Sequence, residues 1–139
     1  MHINVSHTIS MGHRLPSYDG ICSSPHGHNV RVEVCLRVPD REFIDFKDVS
    51  DQLRYILEPL DHAMVLLEED PVVADLTKHR FRVVTLNVEP TTENIAAYVY
   101  FKLRVAFPGK LSYVTVHETD KYSATCTGLP MAIEPRRIR

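Results

Sequence analysis

The stretch His26-Gly27-His28-Asn29-Val30-Arg31-Val32-Glu33-Val34-Cys35-Leu36-Arg37-Val38 decides the fold. Val30, Val32, Val34, Leu36 and Val38 alternate with Arg31, Glu33, Cys35 and Arg37, the period-two pattern of a strand with one apolar and one wet face. Such one-sided strands belong to antiparallel sheets, because parallel strands are covered on both faces. Pro39 ends it. Upstream, Ile3, Val5, His7, Ile9 and Met11 share one parity and Asn4, Ser6, Thr8 and Ser10 the other, which predicts a second half-buried strand over 3 to 11. Between the two, residues 14 to 25 carry loop chemistry, with Pro16, Asp19, Gly20, Ser23, Ser24 and Pro25.

Downstream the period changes to that of a helix. Asp45 is placed to cap a segment whose apolar positions are Phe46, Val49, Leu53, Ile56 and Leu57, before Pro59 stops it. Residues 61 to 82 read as irregular, with a short helical turn near 71 to 77, and Val84, Leu86 and Val88 suggest a brief extended piece. Thr91 then caps a second helix with Ile95, Tyr98, Val99, Leu103 and Ala106 as its stripe and Pro108-Gly109 as terminator. Strands follow at about 111 to 119 and 122 to 128. The expected class is α+β: a four-stranded antiparallel sheet with two helices on one face, one domain over 1–139 with a loose tail from 129 to 139. A sheet of that kind leaves two edges unpaired, which predicts self-association into a ring or barrel.

Composition narrows the function. The chain has 139 residues, 44% apolar and 24% charged, so it carries one core and is not disordered. A net charge of −2 gives no footprint for nucleic acid or anionic lipid, and the basic tail, Arg136, Arg137 and Arg139, reads as a solvated end. No run reaches the ~20 apolar residues of a membrane span, and the first residues lack a secretory pattern, so a cytoplasmic protein is expected. Three cysteines, Cys22, Cys35 and Cys126, are odd in number and suit a reducing compartment.

Histidine is the unusual residue, eight in all. His26 and His28, two apart at the start of a strand, leave the same face about 6.5 to 7 Å apart. His28 is in phase with Val30 to Val38 and His13 with Ile3 to Met11, so pairing of the two strands turns all three imidazoles inward. Three neutral imidazoles suit zinc and leave a coordination position open, the pattern of a catalytic site. The plain alternative makes His26 and His28 backbone-bonded loop residues and His13 a satisfied core residue. His7, on the apolar face too, reads as a buried, backbone-bonded group rather than a ligand. Cys22, four residues before His26, is a nucleophile or general base, a fourth ligand, or a buried thiol; spacing does not choose among these. Cys35 and Cys126 read as structural.

Taken together, Gly12-His13-Arg14-Leu15, Cys22-Ser23-Ser24-Pro25-His26-Gly27-His28-Asn29, Asp45-Phe46, Leu60-Asp61-His62, Pro90-Thr91-Thr92-Glu93-Asn94 and Glu118-Thr119 resemble the 6-pyruvoyl- and 6-carboxy-tetrahydropterin synthase family. The Cys-x-x-x-His-Gly-His spacing is similar to the bacterial 6-carboxy type of the queuosine, or 7-deazaguanine, pathway. The resemblance implies a tunnelling fold, an oligomeric barrel that is typically a homohexamer, and active sites at subunit interfaces. It implies that His13, His26 and His28 hold Zn2+ and that Cys22 is the proton acceptor. Asp61 and His62 would form a second acid/base relay, Glu118 would anchor the pterin, and Thr91, Thr92 and Thr119 would line the substrate.

The implied reaction is a lyase converting 7,8-dihydroneopterin triphosphate to 6-carboxy-5,6,7,8-tetrahydropterin, with loss of acetaldehyde and triphosphate. The sequence departs from the family at Ala63-Met64-Val65-Leu66-Leu67 and at Met11-Gly12, which bear on the substrate and not on a catalytic group. Competing readings are a 6-pyruvoyl-tetrahydropterin synthase and a non-enzymatic zinc-dependent binding or assembly module. Taken singly, Asp61-His62 could dress an exposed turn, Glu118 could be a solvated strand carboxylate, Thr91 and Thr92 could serve as caps, and Glu93 could favour the helix dipole.

Overall fold

The alternation at residues 30 to 38 is realised in a long hairpin: β1 (His2–His13) and β2 (His26–Arg37) pair antiparallel from His2↔Arg37 to His13↔His26. The computed structural model describes residues 1–128, 133 and 135–137. β5 (Leu111–His117) pairs with the other edge of β2, and β6 (Ser123–Cys126) pairs with β5, both antiparallel. These are the four antiparallel strands that the sequence predicts.

The sheet does not stop there, and the four-strand expectation is corrected. β3 (Met64–Leu67) runs parallel to the end of β1, β4 (Val83–Leu86) runs parallel to β3, and β7 (Pro135–Arg137) closes antiparallel on β4. The result is a mixed seven-stranded sheet in the order β6-β5-β2-β1-β3-β4-β7. β3 escaped the reading because Met64-Val65-Leu66-Leu67 is a short apolar run without alternation, which is what a covered parallel strand looks like. The expectation of a loose tail is also corrected: Ile133 is buried, 135–137 pair with β4, and Arg136 Nη1 meets Glu68 Oε1 at 2.7 Å. The rest of that segment, Arg139 included, lies outside the described residues.

Helices α1 (Phe46–Leu57) and α3 (Thr92–Ala106) begin at the expected caps: Asp45 accepts from Lys47 N at 2.8 Å and Thr91 from Asn94 N at 3.2 Å. Val49, Leu53, Ile56 and Leu57 of α1 join Ile95, Tyr98, Val99 and Leu103 of α3 in one buried cluster with Ile9, Met11, Val30, Val32, Val34, Leu36, Val114 and Val116. Phe46 and Ala106, counted in the stripes, are exposed because they are the terminal residues of their helices, at the limit of the sheet's cover. A third, short helix, α2 (Val72–Lys78), lies beside β4 and buries nothing of its own. Each fully buried Leu or Val of the cluster contributes about 1.5–3 kcal/mol, so this two-layer core fixes the strand register on which the site depends. Among the described residues no helix is long and apolar enough to cross a membrane.

Candidate metal centre and active site

The hairpin register brings the histidines together. His13 pairs with His26, Met11 with His28 and Ile9 with Val30, so all three imidazoles leave the apolar face, as parity predicts. Gly12 and Gly27 face one another between the histidine positions, and each is there for lack of a side chain. A Cβ on Gly27 would stand 3.0 Å from Met11 O, and one on Gly12 would run into Met64 Sδ. The ring centroids lie 4.6 Å (His13–His26), 5.2 Å (His13–His28) and 5.0 Å (His26–His28) apart. One nitrogen from each ring falls within 4.8 Å of the others.

Two carbonyls set the tautomers. His13 Nδ1 lies 2.9 Å from Pro90 O and His26 Nδ1 lies 2.7 Å from Ser24 O. A carbonyl only accepts, so each Nδ1 carries the proton and each Nε2 presents a lone pair. Burial holds His13 below the ordinary imidazole range; His26 and His28 add to this against the Pro90 carbonyl and Glu118, and the ring stays neutral. His13 Nε2 and His28 Nε2 are buried with no hydrogen-bond partner. Two orphaned buried ring nitrogens beside a third imidazole fit a soft-to-borderline divalent cation such as zinc, and backbone carbonyls on the far nitrogens, as at His13 and His26, are what orient such ligands.

Glu118 stands next to this point, its Oε1 3.5 Å from His13 Nε2 and 3.7 Å from His28 Nε2. It is not a free strand carboxylate: Thr92 Oγ1 donates to the same Oε1 at 3.0 Å. Thr91 spends its hydroxyl on the α3 cap, and Thr119 Oγ1 accepts from Lys121 N and Tyr122 N at 3.2 and 3.1 Å in the turn after β5.

A cleft of about 620 Å³ on the sheet has His26, His28 and His62 on its wall, with Met64 and Arg82. It therefore unites the relay candidate with two of the three histidines. His62 Nδ1 lies 3.0 Å from Asp61 Oδ1, which also accepts from Ser10 N at 3.0 Å. His62 has a left-handed backbone, φ 55°, and its own N–H donates to Ser10 O at 2.6 Å. Burial acts to raise the Asp61 carboxyl, but the bonds from Ser10 and His62 and the nearby charge of His62 and His7 outweigh it and hold the group below the usual carboxylate range.

Cys22 lies in a single 3-10 turn, Ile21–Ser23, half-buried and unpaired. It is outside the converging cluster, so the fourth-ligand alternative is not met by the geometry. Cys35 is buried, and Cys126 Sγ donates to Gly128 O at 2.8 Å. His7 is half-buried between β1 and α1 and takes no part in the cluster. Sequence reasoning missed Pro90 O, Ser24 O and Ser10, which act through the backbone and so leave no trace in residue type.

A two-layer domain with three histidines converging at the end of a hairpin, His13 buried and His26 and His28 half-buried, has a donor set that could hold a metal ion. The sequence profile described as 6-pyruvoyl tetrahydropterin synthase matches residues 2–129. The chain is 34% identical over 122 residues to a probable 6-carboxy-5,6,7,8-tetrahydropterin synthase of Halobacterium salinarum, covering 84% of this chain and 79% of that one. It is 30% identical over 130 residues to a 6-carboxy-5,6,7,8-tetrahydropterin synthase of Synechocystis, covering 93% and 90%. The solved structure of the Caenorhabditis elegans 6-pyruvoyl tetrahydropterin synthase superposes with a TM-score of 0.68 at 25% identity, covering 92% of this chain and 95% of that one. The chain belongs to the 6-pyruvoyl tetrahydropterin synthase family, a family of pterin synthases that are lyases.

Proposed function

We propose that this chain is the zinc-dependent lyase that converts 7,8-dihydroneopterin triphosphate to 6-carboxy-5,6,7,8-tetrahydropterin, releasing acetaldehyde and triphosphate on the cytoplasmic route to queuosine and related 7-deazaguanines. The observation that carries it is the pair of buried, unpartnered Nε2 atoms on His13 and His28 facing His26. Those three residues would hold the zinc through Nε2. When bound, the ion supplies positive charge that lowers the pKa of the substrate's side-chain hydroxyls and stabilises negative charge developing beside them.

Cys22 takes the proton beside the pterin ring as general base. His62, kept in one tautomer by Asp61, relays a proton through Nε2 from the cleft wall. Glu118 accepts from the amino-pyrimidine edge of the pterin, a flat donor pair that a carboxylate matches, and the Thr92 hydroxyl aims it. Thr91 and Thr119 line the ring through their backbone and methyl groups. The outer edges of β6 and of β1 before Ser10 have no strand partner among the described residues, which supports assembly of sheets into a barrel, with a homohexamer as the expected form.

A second reading, a 6-pyruvoyl-tetrahydropterin synthase, is favoured by the likeness to the Caenorhabditis elegans enzyme. One experiment separates them: incubate zinc-loaded protein with 7,8-dihydroneopterin triphosphate and measure acetaldehyde and product mass. Acetaldehyde with a 6-carboxy product is expected. Triphosphate release without acetaldehyde assigns the pyruvoyl product, and no turnover at full zinc occupancy sinks the lyase reading.

A further inference from the structure

We infer that Glu89 is a positioning residue whose carboxylate holds the loop carrying Cys22 in place relative to the histidine centre; the inference deepens, and rests on, the reading of Cys22 as proton acceptor. The loop of residues 14 to 25 leaves β1 straight after His13 and returns as β2 begins at His26. It is closed internally by Leu15 N donating to Cys22 O at 2.8 Å. Its helical turn buries no residue, and Ile21 beside Cys22 is 89% exposed, so apolar packing does not hold the turn. Polar ties do the holding. Arg14 Nε meets the fully buried carboxylate of Asp70 at 2.9 Å, and Ser17 N donates to Glu89 Oε1 at 2.8 Å.

Glu89 is suited to this task by what surrounds it. Its own carbonyl accepts from Asn94 Nδ2 and from Thr91 N, both at 2.8 Å, which locks it to the start of α3. The next carbonyl, Pro90 O, accepts a hydrogen bond from His13 Nδ1, and Thr92 aims Glu118. One short stretch, 89–94, thus sets the Cys22 loop, a histidine of the centre and the pterin-facing carboxylate, each through a different atom. Proline at 90 stiffens that stretch. Because the His13 bond uses the Pro90 carbonyl and the loop bond uses the Glu89 side chain, truncating Glu89 separates the two: the histidines keep their geometry and the thiol loses its reference. Misplacement of a reacting group by about 1 Å costs up to ~10²-fold in rate.

The test compares wild type, Glu89→Ala and Glu89→Gln, each loaded with zinc. Three quantities are measured: zinc per chain, the rate of Cys22 alkylation by iodoacetamide resolved by peptide mass, and kcat and KM for 7,8-dihydroneopterin triphosphate. Glutamine keeps an oxygen that accepts the Ser17 N–H, so Glu89→Gln is expected to match wild type in all three. For Glu89→Ala, zinc stays at the wild-type level and Cys22 is alkylated at least about threefold faster as the loop loosens. Its kcat falls about tenfold, with KM within about twofold. Unchanged alkylation in Glu89→Ala overturns the inference, and so does a Glu89→Gln that is as impaired as the alanine variant. If wild type turns over no pterin, the lyase reading fails, while the alkylation rates still decide whether Glu89 holds the loop.

Discussion

The histidine centre, through His26 and His28, and the lone His62 share the wall of one cleft and are built in opposite ways. His13 is 4% exposed on the inner face of a paired strand, and the backbone carbonyls of Pro90 and Ser24 fix the tautomers of His13 and His26. His62 has a side chain 78% exposed, sits on a left-handed corner, and is oriented by a neighbouring carboxylate instead of the sheet. The difference follows from chemistry. Metal ligands must be neutral, immobile and dry, whereas a proton relay must reach solvent and substrate and needs a partner that stabilises its charged form. Disabling the first set should remove the centre outright, and disabling the second should only slow it.

The sharpest break is His28→Ala. It deletes one of the two unpartnered buried nitrogens, and zinc per chain by elemental analysis should fall from near one to near zero, with at least a ~10³-fold loss of turnover. Prolonged dialysis of wild type against a chelator should give the same loss, reversed by adding zinc. Cys22→Ala comes next: a lost general base costs about 10²–10⁴-fold in kcat while zinc content stays at the wild-type level. Retention of zinc is the discriminating readout, because a Cys22 that ligated the metal would lose it.

The contrast also explains what was legible. The histidine centre could be read because strand parity is a strict rule: once residues 3–11 and 30–38 alternate, the direction of His13, His26 and His28 follows. The caps Asp45 and Thr91 were legible for the same reason, a local rule with a local cause. Pairing of β3 with β1 and β4 was not, because Val65 and Leu66 are buried and a covered strand shows no alternation. The link from Thr92 to Glu118 spans 26 positions, and that from His13 to Pro90 spans 77. Contacts set by tertiary packing have no signature at either end.

Gly27→Ala tests how tightly the first region is built. The added methyl meets Met11 O, backbone that cannot swing aside, so the variant should lose about 1–3 kcal/mol in urea unfolding. Because Gly27 sits between His26 and His28, its zinc affinity should weaken as well. A variant with unchanged stability would mean that the strands can part there at no cost, and the rigidity assigned to the histidine centre would be wrong.

The smallest effect is expected at the exposed corner. Asp61 accepts from Ser10 N and from His62, and its carboxyl lies below the usual range, so ionised Asp61 favours the folded state. That contribution is whole above the unfolded pKa near ~4 and is lost as pH falls through the lower native value. With the side chain 41% exposed, solvent screening limits it to no more than about 1 kcal/mol. Asp61→Asn should therefore be less stable than wild type by up to that amount at pH 7, and the gap should shrink as the pH falls below about 4 and on through the lowered native value. A gap that widened on acidification would mean that the protonated carboxyl is the stabilising form, and His62 would then lack the anion that holds its Nδ1 proton.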